Sequence, residues 1–266
     1  MTTQPSLPAR WFGNLIGRPV DVPQFAVRIP EMELRRSGHV AAASADAVHV
    51  REEFRAIKKH VLANVASGEG AGRRDPRIVL VTSARPGEGK TFSALNLALS
   101  LAIDRDMDVT LIDGDVVGHG LSRKLGLEGG GLLDALDRHG ADVVQTSNIS
   151  NLSIIGSGRS RADAAELLAS ERMGHLLDSF LSRSSNSMVV LDSAAVLSGS
   201  SASVLATHAG QTSFVVACNE TPRSVVDEGL TLLDSHIGPL ETANVGLILN
   251  KIHPGQSAAR YSAGAS

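Results

Sequence analysis

The segment from Ala84 to Thr91 combines residue types that bind a polyphosphate. It runs Ala-Arg-Pro-Gly-Glu-Gly-Lys-Thr and follows the apolar run 78–82, and a helical pattern comes after it, as in a P-loop. Glycines have no Cβ, so backbone N–H groups can approach phosphate oxygens, and the helix start adds partial positive charge. We expect Lys90 to contact the terminal phosphates and the Thr91 hydroxyl to bind Mg²⁺.

Three carboxylates follow two further apolar runs. Asp113 ends the run 109–112, Asp115 comes two residues later, and Asp192 ends the run 188–191. The carboxyl ends of strands line the ligand crevice of an open parallel sheet, so all three carboxylates can face one nucleotide. Carboxylate oxygens suit Mg²⁺ and can also accept a hydroxyl proton. An Asp in such a position is also a common turn former, but three beside a P-loop indicate a functional site.

The elements that must position these residues alternate along the chain. Short apolar runs predict strands, and periodic apolar residues predict helices between them. Continuous apolar strands separated by helices are typical of a parallel sheet covered on both faces. We therefore predict an α/β fold, P-loop NTPase-like, with a mainly parallel sheet and helices on both faces. The predicted strands are 78–82, 109–112, 152–155, 188–191, 214–217 and 245–249, and the predicted helices are 91–103, 162–181, 201–208 and 224–235.

The segments around this core have different compositions. Residues 1–48 contain five prolines among small and polar residues, which predicts a poorly ordered leader. Apolar residues spaced by three and four predict a helix over 50–66. Small side chains after the last strand predict a flexible tail over 253–266. The predicted organisation is this leader, one domain over 49–252 that includes the helix, and the tail.

Composition excludes several classes of protein. The net charge of −3 and the pI near 6.3 provide no basic field for nucleic acid, so we expect no nucleic-acid partner. One cysteine, Cys218, excludes an intramolecular disulfide framework and a zinc site made only of cysteines. No apolar run approaches the roughly 18 to 20 residues of a membrane span, and no secretory signal is visible. We expect a soluble, cytoplasmic protein.

The motifs together resemble those of the bacterial tyrosine kinases of exopolysaccharide synthesis, and within that family the exosortase-associated autokinases. The resemblance covers about residues 50–252 and depends on the order and spacing of the motifs, which are more specific than a lone P-loop. The motifs are Glu52 to Lys58, Val81 to Ser83 continuing to Thr91 and Phe92, Leu111 to Asp115, Glu166 to Ser170, Val190 to Ser193, and Gly246 to Lys251.

The resemblance implies a role for each matching residue. Lys90 and Thr91 match the Walker A contacts with phosphate and Mg²⁺. Asp113 and Asp115 match the acidic pair that assists Mg²⁺ and deprotonates the acceptor tyrosine, and Asp192 is similar to the Walker B carboxylate. The implied catalytic set is Lys90, Asp113 and Asp115, and the implied metal set is Thr91, Asp113 and Asp192. The implied nucleotide-binding set, whose last member lies where related folds contact the base, is Arg85, Pro86, Gly87, Glu88, Gly89, Lys90, Thr91, Phe92 and Asn250.

The resemblance also implies an activity and partners. The activity is that of an ATP-dependent protein-tyrosine autokinase that uses ATP and Mg²⁺ and regulates polysaccharide polymerisation and export. Tyr261, the single tyrosine, is the implied phosphoacceptor. Glu52, Arg55 and Lys58 match a Glu–Arg–Arg motif that joins subunits into homo-oligomeric rings, although Lys58 lacks the bidentate fork of the second Arg. The other implied partner is a membrane protein of the chain-length-determinant type, which would hold the chain at the inner membrane periphery.

The chain departs from the family pattern at two places. Residues 116–119 stand where the acidic motif usually continues with Arg-Pro, and Ala194 and Ala195 replace the usual Pro-Pro. The missing Arg removes a candidate for stabilising phosphate charge, so a catalytically weak or inactive nucleotide-binding partner of the same system is one alternative. The other is an ATPase of the chromosome-partitioning or septum-placement type. Such proteins carry a signature Lys at the position of Arg85, which counts against that alternative.

Overall fold

A mainly parallel sheet lies at the centre of the chain. The computed structural model describes residues 27, 29–36, 45–67, 74–137, 143–237 and 244–252. The strands in these ranges are β1 (Ile78–Ser83), β2 (Asp108–Asp113), β3 (Gln145–Thr146), β4 (Leu152–Ile155), β5 (Ser187–Asp192), β6 (Gln211–Ala217) and β7 (Val245–Asn250). Their order is β3-β4-β2-β5-β1-β6-β7. Neighbours are parallel except β3 and β4, which pair antiparallel.

Helices connect the strands and cover the sheet. In the described ranges they are α1 (Glu31–Arg36), α2 (Ala45–Ser67), α3 (Lys90–Ala102), α4 (Gly120–Leu125), α5 (Leu132–Asp137), α6 (Ala164–Ala169), α7 (Glu171–Leu181), a 3₁₀ turn (Val196–Ser198), α8 (Ser201–Ala206) and α9 (Arg223–Ile237). None of these helices combines the length and hydropathy that a membrane span requires.

Successive side chains of the central strand point into different hydrophobic clusters. Ile78 and Leu80 of β1 belong to a cluster that includes residues of α5 to α9. Val79 and Val81 belong to a second cluster, with residues of α1 to α4. A strand places alternate side chains on opposite faces, so both faces of the sheet are buried under helices. The prediction of an α/β fold with a mainly parallel sheet and helices on both faces is confirmed.

The helical pattern over 162–181 forms two helices rather than one. Ser170 separates α6 from α7 with an extended backbone, at ψ 155°. Its hydroxyl donates to the Leu167 carbonyl oxygen at 2.6 Å. A serine side chain competes with the helix for backbone hydrogen bonds, so the chain turns here although the apolar period continues.

Several short elements were not predicted, among them β3, α4 and α5. The two-residue strand β3 is too short for a period of two, and α4 and α5 have six residues each. Helix α4 ends against Gly126, whose φ of 63° lies in the left-handed region that favours glycine. Tertiary packing stabilises such short helices, because an isolated helix of this length is unstable in water.

Part of the predicted leader packs into the core. Val27, Ile29 and Leu34 are buried in the cluster under α2 and α3. The prediction of a poorly ordered leader over 1–48 is therefore wrong for residues 27 and 29–36. The prediction of disorder relied on the prolines and overlooked a short apolar segment between them. The burial of that segment depends on tertiary contacts. The rest of the leader before α2 lies outside the described residues.

Polar contacts hold this segment against the sheet edge and α4. The Ile29 backbone N–H donates to Asn148 Oδ1 at 2.8 Å. Glu33 is buried and its Oε2 lies 3.0 Å from Lys124 Nζ in α4. The segment therefore braces the helix that follows the acidic residues of β2.

Helix α2 begins five residues before the predicted start of the helix over 50–66 and ends one residue after its predicted end. Phe54 and Val61 are buried from this helix, as its spacing predicts. The predicted tail over 253–266, with Tyr261, lies outside the described residues.

Candidate functional site

The loop of residues 84–89 joins β1 to α3 at the carboxyl end of the sheet. Gly87 and Gly89 have φ of 86° and 100°, a region that other residues rarely adopt. A Cβ on Gly89 would also collide with Asn250 Nδ2. Both glycines are therefore required by the backbone, as the sequence pattern implies.

A buried carboxylate braces this loop from within. Glu88 is 3% exposed, and its Oε2 accepts a hydrogen bond from the Arg85 backbone N–H at 2.5 Å. Its Oε1 accepts one from the Thr221 hydroxyl, beyond β6. The Asn250 side-chain amide, at the end of β7, donates to the Glu88 carbonyl oxygen at 2.8 Å. The predicted nucleotide contacts Glu88 and Asn250 thus hold the loop in shape by joining it to two other strand ends.

The remaining predicted loop contacts fall into two groups. Arg85, Pro86 and Gly87 are exposed on the loop surface, where they can reach a ligand. The Phe92 ring instead packs edge-on against Phe54 of α2, with ring centroids 6.0 Å apart. The side chain of Phe92 therefore joins α2 to α3, and only its backbone belongs to the start of the helix.

Asp113, the last residue of β2, is fully buried and accepts hydrogen bonds on both oxygens. Oδ1 accepts from the Asp115 backbone N–H at 3.1 Å. Oδ2 accepts from the Ser122 backbone N–H at 2.8 Å and from the Ser122 hydroxyl at 2.6 Å. Burial raises the pKa of Asp113, and the bonds from Ser122 oppose that rise. The carboxylate anchors the start of α4 to the sheet.

Asp115 faces the P-loop lysine. Its Oδ2 lies 3.8 Å from Lys90 Nζ, and both side chains are nearly buried. Its Oδ1 accepts from the Gly118 backbone N–H at 2.8 Å, and a Cβ at Gly118 would collide with the carboxylate. A larger residue at position 118 would therefore have to displace the Asp115 carboxylate.

Asp192, the last residue of β5, is paired in register with Asp113 on the neighbouring strand. It is 0% exposed, and neither of its oxygens has a hydrogen-bond partner in the described structure. Burial, and then the nearby Asp113 charge, raise the pKa of Asp192 well above its usual value. The Thr91 hydroxyl and the Lys90 charge oppose the rise. This carboxyl group is the unsatisfied acceptor of the site.

These groups fit a magnesium ion bound together with phosphates. Two buried and unpartnered oxygens on Asp192 are hard ligands without a donor, the type that Mg²⁺ or its bound water satisfies. Thr91 Oγ1 lies close to Gly120 at the start of α4, facing the acidic residues. Within the described ranges no group of three or more His, Cys, Asp or Glu side chains could hold a metal ion. The protein therefore offers part of a coordination shell, to be completed by phosphate and water.

A chain of hydrogen bonds leads from Asp113 to the surface. The Ser122 hydroxyl, which donates to Asp113, lies 3.2 Å from Ser157 Oγ. Ser157 Oγ is bonded to His119 Nδ1 at 2.5 Å, and Ser160 Oγ to His119 Nε2 at 2.6 Å. Ser122 and Ser157 were missed because 35 residues separate them and no local spacing joins them.

The predicted oligomerisation residues do not share one environment. Glu52 and Arg55 are exposed, and Glu52 Oε2 lies 2.8 Å from Arg55 Nη1. Lys58 is 14% exposed in its side chain, and its Nζ lies 3.0 Å from both carboxylate oxygens of Asp104. Lys58 thus ties α2 to the end of α3 within the chain. Tyr261 lies outside the described residues.

The chain is similar in sequence to a P-loop NTPase family and to proteins named tyrosine kinases. The ParA family described as NUBPL iron-transfer P-loop NTPase matches residues 76–189. The chain is 32% identical over 183 residues to the putative tyrosine-protein kinase EpsB of Ralstonia solanacearum, covering 66% of this chain and 23% of EpsB. It is 30% identical over 175 residues to the tyrosine-protein kinase YwqD of Bacillus subtilis, covering 65% of this chain and 70% of YwqD. The chain thus spans less than a quarter of EpsB but most of YwqD.

A solved structure has the same architecture. The kinase domain of VpsO superposes with a TM-score of 0.61 and 27% identity, and the match covers 79% of this chain and 100% of that domain. The fold that carries the P-loop and the acidic strand ends of this chain is therefore similar to the fold of a kinase domain.

Proposed function

The chain belongs to the bacterial tyrosine kinase family of exopolysaccharide biosynthesis, and from that membership we propose that it is an ATP-dependent protein-tyrosine autokinase. The observation that carries the proposal is the 3.8 Å distance between Lys90 Nζ and Asp115 Oδ2. It joins the cation of a P-loop to a carboxylate that can accept a proton. A γ-phosphate bound at Lys90 would therefore lie beside a base, which is the arrangement that phosphoryl transfer to a hydroxyl requires.

Asp113 and Asp115 would have different roles in the transfer. Both oxygens of Asp113 already accept protein hydrogen bonds, so Asp113 positions Asp115 through the Asp115 backbone N–H. Asp115 would accept the proton of the tyrosine hydroxyl. The tyrosine oxygen would attack the γ-phosphorus of ATP, the bond from that phosphorus to the β,γ-bridging oxygen would break, and ADP would leave. Lys90 would stabilise the charge on the phosphate oxygens.

The loop and its neighbours would bind the nucleotide. Backbone N–H groups of residues 85–91 would surround the phosphates, and Glu88 and Asn250 would keep the loop in that conformation. Thr91 and Asp192 would hold Mg²⁺, which supplies neutralising charge at the phosphates. The match to a P-loop NTPase family over residues 76–189 supports nucleotide binding as the general property.

The names of the relatives support a proposal for the biological setting. EpsB and YwqD are named tyrosine-protein kinases, and the match covers 23% of EpsB. We propose that the chain regulates polysaccharide polymerisation and export, that it associates with copies of itself, and that a membrane protein of the chain-length-determinant type activates it. Glu52 and Arg55 on the exposed face of α2 are the proposed contacts between copies.

A second candidate function is a nucleotide-binding partner of the same system with little transfer activity. The loop after Asp115 favours it, because residues 116–119 provide no arginine. Val117 is instead an apolar side chain with 76% exposure beside the site. Such a protein would bind ATP and associate with its partner but would leave tyrosine unmodified.

Incubation of the full chain with γ-labelled ATP and Mg²⁺, followed by mapping of any phosphotyrosine, separates the two functions. The kinase proposal expects label on tyrosine. Lys90→Ala should lower the rate about 100-fold or more, because a cation is lost from the transition state. Lys59→Ala, an exposed lysine on α2, is the matched control and should keep the wild-type rate. Nucleotide binding without label would establish the second candidate instead.

Tyr261 is the proposed acceptor, since the chain has no other tyrosine. Tyr261→Phe should abolish tyrosine autophosphorylation while leaving nucleotide affinity unchanged. Label that persists in this variant would lie on serine or threonine and would contradict the tyrosine autokinase. Calorimetric titration of the wild type and of Tyr261→Phe with ADP serves as the control for folding.

Association through α2 is tested by charge reversal. Glu52→Arg and Arg55→Glu each place like charges within one helix turn, and each should weaken association, whereas the double reversal should partly restore it. Thermal unfolding of each variant separates a local helix effect from a lost contact. Sedimentation that shows a monomer for the wild type, with nucleotide and with the membrane partner, would contradict this part.

A further inference from the structure

A pocket of about 550 Å³ opens beside the acidic residues. It is bordered by α4, by the loop between α4 and α5, and by the loop after β4. Within the described part of the chain its lining contains no residue of the P-loop. Ser122 of its wall donates to Asp113, and the neighbouring Gly118 donates to Asp115. We call this cavity the acceptor-side pocket, because it lies on the α4 side of the acidic residues and is linked to them through Ser122, although none of those aspartates lines it.

The walls of the pocket are already joined to one another. The Leu132 backbone N–H donates to the Gly156 carbonyl oxygen at 2.7 Å, and the Leu133 N–H donates to the Ser157 carbonyl oxygen at 3.2 Å. The Ser157 N–H donates to Ser122 Oγ at 3.0 Å, and His119 is bonded to the far loop through its ring. A ligand would therefore meet a preformed surface and pay little for ordering it.

The pocket presents positive charge without internal partners. The guanidinium groups of Arg123 and Arg159 line it and are exposed, and neither has an ion pair or a hydrogen bond among the described residues. Glu128 is the one acidic residue in the described lining. Arg161, just beyond the pocket, is by contrast held by two carboxylates, those of Asp137 and Asp163. The two free guanidinium groups are thus available to an anionic ligand.

We propose that the acceptor-side pocket binds acidic residues next to the tyrosine of a second protein substrate. This rests on the proposed kinase function and names the class of acceptor. The chain's own residues 253–266 contain His253 and Arg260 but no Asp or Glu, so they do not match two arginines in charge. Several glycines in the lining expose backbone to the ligand, which suits an extended peptide. Its acidic side chain would meet Arg123 or Arg159 while its tyrosine reaches Asp115.

Binding of two matched peptides tests the proposal without any transfer. Both contain one tyrosine, one flanked by glutamates and the other by glutamines, and each carries a fluorophore for anisotropy with the full chain, ADP and Mg²⁺. The glutamate peptide should bind about tenfold more tightly. Arg123→Ala and Arg159→Ala should each weaken it about fivefold and leave the glutamine peptide unaffected. Arg105→Ala, an exposed arginine before β2, should change neither.

A charge reversal at Arg159 distinguishes a lost charge contact from misfolding of the variant. Arg159→Glu should weaken the glutamate peptide further and should improve binding of a third peptide with lysines at the same positions. Increased salt should reduce the preference, because the charges are exposed. Equal binding of all peptides to the wild type, or equal losses in Arg105→Ala and Arg159→Ala, would overturn the proposal.

The rate of transfer to the same peptides separates this proposal from the kinase proposal. Preference for the glutamate peptide in binding, with no transfer to any peptide, would overturn the kinase function and leave the pocket. Transfer that shows equal kcat/KM for the glutamate and glutamine peptides would overturn the pocket and leave the kinase function.

Discussion

The ends of β2 and β5 carry the same residue type in register, but their surroundings differ. Asp113 and Asp192 are both fully buried aspartates that each end an apolar strand. Asp113 accepts three hydrogen bonds, from Ser122 and from the Asp115 backbone. Asp192 accepts none in the described structure. Two strand ends with the same sequence pattern thus lie side by side, one with a hydrogen-bonded carboxyl group and the other with a carboxyl group that has no hydrogen-bond partner among the described residues.

This difference in hydrogen bonding suits Asp113 to a structural role and Asp192 to binding a cation. The three donors let Asp113 hold α4 and the Asp115 backbone in place, so its charge is used within the protein. The two free oxygens of Asp192 require a cation or a proton, because an unpartnered buried carboxylate is costly. Where a chain contains two such strand ends, the one without protein donors is the better candidate for the metal.

If the proposed kinase function holds, the largest effect should come from removing the Asp192 charge in the nucleotide-bound protein. Asp192→Asn should lower the rate of phosphoryl transfer about 100- to 1000-fold, because the charge that supports Mg²⁺ is lost. Nucleotide affinity should change much less, since the loop backbone is intact. Initial rates and calorimetric titration measure both, and Asp178→Asn, at an exposed position of α7, is the control. An equally large loss of rate and of nucleotide affinity would indicate misfolding and would contradict the different roles assigned to Asp113 and Asp192.

The same substitution at the two sites should have opposite effects on stability without nucleotide. Asp113→Asn should lower the free energy of unfolding by about 2 to 3 kcal/mol, because an amide replaces one of the two accepting oxygens with NH₂, which then faces either the Ser122 donors or the Asp115 N–H. Asp192→Asn should raise it by about 1 kcal/mol at pH 7, because a buried unpaired charge is removed. Urea unfolding measures both variants against the wild type. Changes of the same sign would contradict the comparison.

The donors around Asp113 can be removed one at a time. Ser122→Ala should lower the free energy of unfolding by about 1 to 2 kcal/mol, because Asp113 loses its hydroxyl donor in a buried place. Ser157→Ala is the matched variant, since the Ser157 hydroxyl touches Ser122 and His119 but not Asp113. It should cost less than Ser122→Ala. A larger loss in Ser157→Ala would show that the network, and not Asp113, holds α4.

The smallest effect should appear as a pH dependence of stability. Burial and the Asp113 charge raise the folded pKa of Asp192 above its unfolded value of 3.8. The neutral form is therefore favoured in the fold, so its stabilising contribution is present below pH 3.8 and is lost as pH rises through the raised pKa. The wild type should lose stability relative to Asp192→Asn over that interval. Unfolding curves at several pH values test this, and parallel curves would contradict the pKa shift.

The sequence by itself predicted the local parts of the site. A strand, a glycine-rich loop and a helix follow one another within 78–103, so spacing alone indicates a phosphate-binding loop. Asp113 and Asp192 end apolar runs, and the carboxyl ends of parallel strands meet, so their convergence was predictable from the fold class. Continuous apolar runs predicted most of the strands, and apolar residues spaced by three and four predicted the longer helices.

The missed features depend on partners that are distant in the chain. Thr221 lies 133 residues from Glu88, whose carboxylate it binds, and Ser157 lies 35 residues from Ser122. The buried residues Ile29 and Leu34 pack against distant parts of the chain, and the salt bridge of Lys58 with Asp104 likewise joins separated segments. No local spacing encodes such pairs, because any of several polar residues could satisfy the same group.

The sequence determined which residue types stand at the strand ends, and the tertiary structure decided what each of them does. Asp113 and Asp192 were equivalent in the sequence because local pattern specifies a position on a strand. Whether a donor approaches depends on how loops from other strands pack. Ser122 approaches Asp113 because α4 turns back over β2, whereas the oxygens of Asp192 have no hydrogen-bond partner among the described residues, although Thr91 and Lys90 lie nearby. The fold thereby separates a structural carboxylate from the one that remains open to a cation.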